Sequence, residues 1–243
     1  MIDHALVLAA GLGTRLRPLT LARAKPAMPI GGEPLVRRIL RWLVREGVSD
    51  VVVNLHYLPH TITAVVGDGS DLGVRVRYSW EGTLILGSAG GPRRAAPIVG
   101  ARSFFIVNAD TLTDLSLPPL ARGHELSGAL ITIALIPNQE PDRYGGALLD
   151  ERGRVTSFVA RGAAAAGSYH MIGVQAAQAE AFAGLKDGEP ANSIRGLYEQ
   201  LIAAQPGCIR GHVCDARFWD IGTPEDYAAT DAAFADHGPD FLS

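Results

Sequence analysis

Cysteine is almost missing: Cys208 and Cys214 are the only two, six apart around the apolar stretch 209–213. Without a second pair or a neighbouring histidine motif they do not complete a zinc site, and they predict two reduced thiols. An excess of either charge is also missing. A net charge of −3 gives neither nucleic acid nor a membrane surface an electrostatic hold, so neither is expected as a partner. Long hydrophobic runs are absent too. The early apolar run is too short to span a bilayer, follows Asp3 rather than basic residues and leads straight into a glycine turn. No signal peptide or transmembrane segment is expected, and the expected location is cytoplasmic. No internal repeat is visible, and no hexapeptide tail of the kind that forms a C-terminal β-helix, so none is expected.

What is present suits one large α/β domain with a substantial core: 243 residues, 47% hydrophobic and 19% charged. The 28 glycines and 15 prolines are scattered rather than massed into a linker. The stretch 5–26 organises the rest. A short apolar run turns through Gly11 and Gly13 and then presents Thr14, Arg15, Arg17 and Lys25 with no acidic residue between Gly11 and Pro26. Glycines let the backbone approach an anion and aim N–H groups at it, and the cations neutralise its charge. This is a phosphate cradle, but of neither common kind. A dinucleotide fingerprint would need a third glycine where Leu16 stands, and a Walker loop would need Gly-Lys-Ser/Thr after four spacers.

Gly11-Leu12-Gly13-Thr14-Arg15-Leu16, then Pro18-Leu19-Thr20, then Lys25-Pro26 resembles the signature of the sugar-1-phosphate nucleotidylyltransferases. The resemblance covers the chain to about Phe234. It implies a Rossmann-like three-layer sandwich with a mixed, mostly parallel central sheet. It further implies a single domain over 1–243: about 1–127 for the nucleotide, about 128–220 for the sugar, and about 221–243 as a C-terminal helix and tail.

Along the chain, residues 5–9 read as a buried parallel strand. Residues 34–46 read as a helix with Leu35, Ile39, Leu40, Leu43 and Val44 on one face and Arg37, Arg38, Arg41 and Arg45 on a solvated face. Residues 51–55 are a continuous apolar strand, as expected when helices cover both sides. A short helix is expected at 61–66. His56 and His60 lie four apart, but Pro59 interrupts the helix on which that spacing would hold a metal, and no carboxylate joins them. Val74, Val76 and Tyr78 alternate with arginines as a third strand. Residues 86–91, Leu-Gly-Ser-Ala-Gly-Gly, read as a second glycine-rich loop, followed by a short helix at 92–97.

Residues 104–110 form an apolar strand ending on the carboxylate of Asp110, where open α/β sheets bind ligands. A hard cation shared with substrate phosphates suits such a carboxylate. A surface helix is expected at 117–126, a strand at 129–135, a hairpin over 143–160 turning at Gly153, and a returning strand at 168–175. An amphipathic helix is expected at 193–204. In 218–227, Thr223 caps a helix with Pro224 at its first position and Asp226 three residues on, a motif that leaves Asp220 unexplained.

The resemblance assigns these residues roles. Arg15, Lys25 and Asp110 are the expected catalytic residues. Leu8, Ala10, Gly11, Gly13, Thr14, Arg15, Lys25, Gly87, Ser88 and Gly90 are expected to bind the nucleotide, and Asn108, Tyr144, Gly145, Gly146 and Gly173 the sugar. Asp110 and Asp220 are the expected magnesium ligands. Two departures stand out. Ala109 replaces the usual glycine before Asp110, and Arg161-Gly162 stands where many relatives carry Glu-Lys-Pro, making Arg161 the candidate replacement for a lysine that holds the sugar's phosphate.

The implied reaction joins a nucleoside triphosphate and a sugar-1-phosphate into a nucleotide sugar and pyrophosphate, with Mg2+ as cofactor. The Leu-Gly-Ser-Ala-Gly wording leans toward mannose-1-phosphate or heptose-1-phosphate guanylyltransferases. The short chain without Glu-Lys-Pro leans toward N-acetylmuramate-1-phosphate uridylyltransferases. A non-catalytic nucleotide-sugar sensor would be expected to have lost one of Arg15, Lys25, Asp110 or Asp220, and all four are kept. A phosphocholine transferase would need an aromatic cage that the residues around Tyr144 and Tyr169 do not supply. A homo-oligomer is compatible with the sequence.

Overall fold

The computed structural model describes residues 2–235. Its strands are β1 (His4–Leu8), β2 (Pro29–Ile30), β3 (Glu33–Pro34), β4 (Asp50–Leu55), β5 (Arg75–Trp80), β6 (Ser103–Asn108), β7 (Thr111–Thr113), β8 (Ile131–Pro137), β9 (Gly146–Leu149), β10 (Val155–Val159), β11 (Tyr169–Gln178), β12 (Ile209–Val213) and β13 (Phe218–Asp220). Its α-helices are α1 (Leu35–Arg45), α2 (Pro59–Val66), α3 (Gly87–Val99), α4 (Leu117–Ser127), α5 (Glu199–Ala204) and α6 (Pro224–Ala235).

Nine strands form one mixed sheet. β6, β1, β4 and β5 lie side by side and parallel, and β12 pairs parallel with β8. β11 runs against β6, β8 and β9, and β10 runs against β9. Tracing these senses, β10 and β11 run one way and the other seven strands the other, so the sheet is mostly parallel, as expected.

Alternation along the strands divides the core into two layers. Val7, Val51, Val53, Phe105 and Val107 face one side with α1, α2 and α4, whereas Leu6, Val52, Phe104 and Ile106 face the other with α3. Each such side chain removed from water contributes roughly 1.5–3 kcal/mol. The continuous apolar runs at 51–55 and 104–107 are what a sheet covered on both faces requires.

Several elements differ from expectation. The glycine loop and short helix of 86–97 are instead one helix, α3, which begins at Gly87. Its first turns can form because small residues let another segment close in: Ala191 O accepts N–H bonds from Ala89 (2.9 Å) and Gly90 (3.2 Å). Arg38 does not belong to the solvated face of α1. It is buried, its Nε donating to Ile30 O at 2.6 Å and its guanidinium lying 5.1 Å from the Phe234 ring centre. The amphipathic stretch 193–204 is not one helix. Backbone leaves helical geometry at Arg195 and Gly196, inside a wide turn over Ser193–Tyr198, and α5 follows that turn. The expected helix at 61–66 starts earlier, with Pro59 at its first turn. The last residues of the expected tail, 236–243, lie outside the described residues.

The cap of α6 is reciprocal. Thr223 Oγ1 accepts the Asp226 N–H at 3.2 Å, and Asp226 Oδ2 accepts the Thr223 N–H at 3.2 Å. Cys208 and Cys214 are free thiols. No helix among the described residues is long and apolar enough to cross a membrane.

Candidate active site

The loop leaving β1 reaches the C-terminal edge of the parallel strands and coils back as two short 3-10 turns, Thr14–Leu16 and Leu19–Leu21. Gly13 takes φ 61°, and Thr20 Oγ1 ties the loop by donating to Gly13 O at 2.7 Å. A third turn, Lys25–Ala27, buries Lys25 to 8% exposure. Its Nζ lies 3.0 Å from Asp110 Oδ2. Burying an ammonium is costly unless it is paired, and Asp110 supplies the pair.

Asp110 lies just beyond β6. The ribbon of β7 and β13 sets Asp220 opposite Thr111, which follows Asp110 directly, and Ile221 N–H donates to Asp110 O at 3.1 Å. The two carboxylates therefore converge although 110 residues separate them in sequence (220 − 110). Burial raises the Asp220 carboxyl from its ordinary range. The charge of Asp110 reinforces this, while Lys25 and Arg15 pull the other way. Arg15 also reaches this corner: a Cβ on Gly222 would stand 3.0 Å from both Arg15 Nη1 and Asp220 Oδ2.

Two cavities share a wall at Leu8, Ser88 and Asn108, the first of them containing Lys25, Asp110 and Arg15. The first, about 320 Å³, is lined by Leu8, Ala10, Gly11, Gly13, Thr14, Arg15, Lys25, Gly87, Ser88, Asn108 and Asp110 among others. The second, about 420 Å³, shares Leu8, Ser88 and Asn108 with it and adds Gly145, Gly146 and Gly173. Gly173 sits at φ 78° where the pairing of β11 with β8 shifts register. A Cβ there would meet Thr111 Oγ1 at 2.7 Å and Asn108 Cβ at 3.1 Å, so bare backbone is required beside Asn108.

Of the expected site residues, Asp220 lines neither cavity but adjoins the first beside Gly222, and three others lie elsewhere. Gly90 lines neither cavity; it is buried in α3, where a Cβ would meet Glu189 O at 2.6 Å, so it serves packing. Arg161 is exposed and lines neither cavity, because the hairpin carries it out to solvent. Tyr144 lines a groove on the far side of the hairpin with His170, Phe218 and Trp219. From there its hydroxyl approaches Asp220 Oδ2 at 3.4 Å, and Arg143 lies 3.7 Å from the same oxygen. Tyr144 thus touches the second carboxylate rather than the second cavity.

Sequence reasoning missed Asn54, Glu81 and His170. Asn54 lines the first cavity, and His170 lines the second while its tilted ring packs against Tyr144, the ring centres 4.2 Å apart. Burial lowers the His170 ring from its ordinary range, favouring its neutral form. The one available signal for Asn54 was a lone polar residue closing the valine run of β4. Ala109 is unstrained: among the described residues only Leu58 is a non-glycine with positive φ.

The donor set fits a divalent cation held partly by substrate. Asp110 and Asp220 supply hard carboxylate oxygens, and a cation would offset both the burial that raises Asp220 and the neighbouring charge of Asp110 that adds to it. No cluster of three or more metal-ligating side chains occurs among the described residues, so the remaining ligands would be phosphate oxygens and water. His56 and His60 gather no third ligand. His56 Nδ1 lies 3.2 Å from Gly82 O.

Residues 4–236 match the family model described as Nucleotidyl transferase. The chain is 31% identical over 224 residues to a mannose-1-phosphate guanylyltransferase of Mycobacterium tuberculosis, covering 92% of this chain and 62% of that protein. It is 41% identical over 111 residues to the N-acetylmuramate alpha-1-phosphate uridylyltransferase of Neisseria meningitidis, 46% of this chain and 48% of that one. The chain thus spans less than two thirds of these relatives' length. The crystal structure of HddC from Yersinia pseudotuberculosis shares the fold, with TM-score 0.80 and 24% identity over 96% of this chain and all of that one.

Proposed function

This chain belongs to the nucleotidyl transferase family, and from that premise we propose that it condenses a nucleoside triphosphate with a sugar-1-phosphate to a nucleotide sugar and pyrophosphate. The observation that carries this reading is the buried Lys25–Asp110 pair in the wall of the first cavity, beside Asp220 and Arg15 and two residues from Asn108, which both cavities share. One cavity suits a triphosphate and nucleoside, the other a sugar. We keep the chain as a single domain with the division near 127 and 220, a reading supported by the continuous pairing of β11 with β6 across it.

The sugar-1-phosphate oxygen attacks the α-phosphorus in line, so no serine, cysteine or histidine nucleophile is needed. The protein's work is positioning and neutralising charge. Arg15 holds the departing pyrophosphate, and Lys25 the α-phosphate and incoming phosphate. Asp110 and Asp220 would hold Mg2+, which supplies charge neutralisation among the phosphates. Asn108, at the junction, contacts both substrates' neighbourhoods, with Gly145, Gly146 and Gly173 offering backbone to sugar hydroxyls.

For the substrate pair we favour a guanine nucleotide with mannose-1-phosphate or a related sugar. The Leu-Gly-Ser-Ala-Gly segment and the guanylyltransferase of M. tuberculosis, matched over 92% of this chain, support it. The uridylyl reading with N-acetylmuramate-1-phosphate is supported by the 41% identity over 111 residues. The proposed location is the cytoplasm, consistent with two free thiols.

The test is pyrophosphate release with magnesium, crossing GTP, UTP, CTP, ATP and dTTP with mannose-, glucose-, heptose- and N-acetylmuramate-1-phosphates. One productive pair is the expected result. Silence across the panel, with tight binding of a nucleotide sugar, would overturn catalysis in favour of a regulatory binding protein.

A further inference from the structure

A chain of buried hydrogen bonds joins three segments that wall the first cavity. Ala9 N–H donates to Asn54 Oδ1 at 2.6 Å, Asn54 Nδ2 donates to Glu81 Oε1 at 2.6 Å, and Leu86 N–H donates to Glu81 Oε2 at 2.7 Å. Asn54 is 2% exposed and Glu81 3%. No cation pairs with Glu81 among the described residues. The chain is sealed by Gly91 of α3, where a Cβ would stand 2.8 Å from both Asn54 Nδ2 and Glu81 Oε1.

A carboxylate buried without a counter-cation is costly, and this one has a stated reason to be there. Asn54 Oδ1 is committed to the Ala9 N–H, so the amide must turn its NH2 toward Glu81. Leu86 presents an N–H to the other carboxylate oxygen. Both of Glu81's partners are donors, and only a group that accepts at both ends satisfies them. A glutamine would set its own NH2 against one of them.

We propose that Glu81 is a positioning residue for the nucleoside triphosphate. It fixes the amide orientation of Asn54, which lines the cavity, and sets the gap between the backbone at 9–10 and that at 86–88. Glu81 itself lines neither cavity and acts through those groups. The inference rests on the assignment of the first cavity to the nucleotide.

The test exchanges donor and acceptor along the chain. Glu81→Gln and Asn54→Asp each place like against like. The double variant N54D/E81Q reverses the polarity of the central bond and satisfies every group: Ala9 N–H and Gln NH2 both donate to the new aspartate, and Leu86 N–H donates to the glutamine carbonyl. Titration calorimetry with GTP and with UTP, each with magnesium, reads nucleotide affinity, and steady-state kinetics read the KM for sugar-1-phosphate.

Each single variant is expected to weaken the nucleotide that wild type binds by about ten-fold or more, with sugar-1-phosphate KM within about three-fold of wild type. The double variant is expected to restore nucleotide affinity. A structural strut with no role toward the nucleotide would lower melting temperature and leave both constants unmoved, and that result overturns the proposal. A folded double variant no better than the singles also overturns it. Should one single variant melt too low to assay, the other single variant and the double variant carry the comparison by the same criterion. Wild-type protein that binds neither nucleotide would sink the nucleotide assignment, and this proposal with it.

Discussion

On one side of Asn108 the walls come mostly from two short stretches, 8–16 and 85–88, together with Lys25; on the other they come from residues 145–146 and 173–175 and side chains such as Phe158, His170 and Ile194. The first side carries charged groups, and the second is built largely of glycine and apolar atoms. Charge on the triphosphate demands fixed cations and carboxylates, which few residue types supply. A neutral sugar can be held by backbone N–H and C=O groups, which every residue has. The proposed nucleotide side is therefore readable from side-chain identity, whereas Gly145, Gly146 and Gly173 of the proposed sugar side were legible only through the family resemblance.

The contrast predicts the largest losses where charge is removed from the first side. Lys25→Ala or Asp110→Asn is expected to lower turnover by about 10³-fold or more in the pyrophosphate assay while leaving the circular dichroism spectrum intact. Ordinary activity in either purified variant would break the comparison.

Gly173→Ala tests the claim that the second side depends on backbone. The added methyl meets Thr111 Oγ1 and Asn108 at a positive φ. The expected outcome is a strain of about 1–3 kcal/mol in chemical denaturation and a rise of about ten-fold in sugar-1-phosphate KM. An unchanged KM would show that the bulge in β11 does not shape that cavity.

A third prediction concerns the distant end of the parallel strands. Burial alone would raise the Asp50 carboxyl, but hydrogen bonds from Arg77 and Arg75, each at 2.5 Å, outweigh it and hold the group below the usual range. Arg77 also donates to the carbonyls of Ile98 and Val99 at the end of α3, tying β4, β5 and α3 together. A carboxyl lowered by folding contributes stability above its unfolded value, and that stability is lost as pH falls through the folded value. Melting temperature is expected to fall between about pH 4 and pH 2 more steeply in wild type than in Asp50→Asn. Parallel curves would remove Asp50 from the account.

The smallest effect is expected at Arg161→Ala. An exposed side chain that lines neither cavity should leave KM for sugar-1-phosphate within about two-fold and stability within about 0.5 kcal/mol. A large rise in KM would restore this arginine to the phosphate-holding role that the motif comparison gave it and would weaken the contrast between the two sides.

The sequence by itself determined the elements whose causes are local. The valine run of β4 and the apolar run of β6 announce strands covered on both faces, Thr223-Pro224 with Asp226 announces a cap, and the glycines and cations of 11–25 announce an anion loop. Arg15, Lys25 and Asp110 were legible because each stands at a fixed offset from such a feature. What only tertiary structure decided are matters of close approach between segments far apart in the chain. Residues 86–97 became one helix because the 189–191 segment fills the space its glycines leave. Arg38 was buried by carbonyls at 30–31, and Tyr144 was set near Asp220 among the tilted and edge-on rings of His170 and Phe218. Asn54 and Glu81, 27 residues apart, became partners only when β4 and β5 lay side by side. Periodicity and capping act over a few residues, whereas these contacts depend on where the sheet brings its edges.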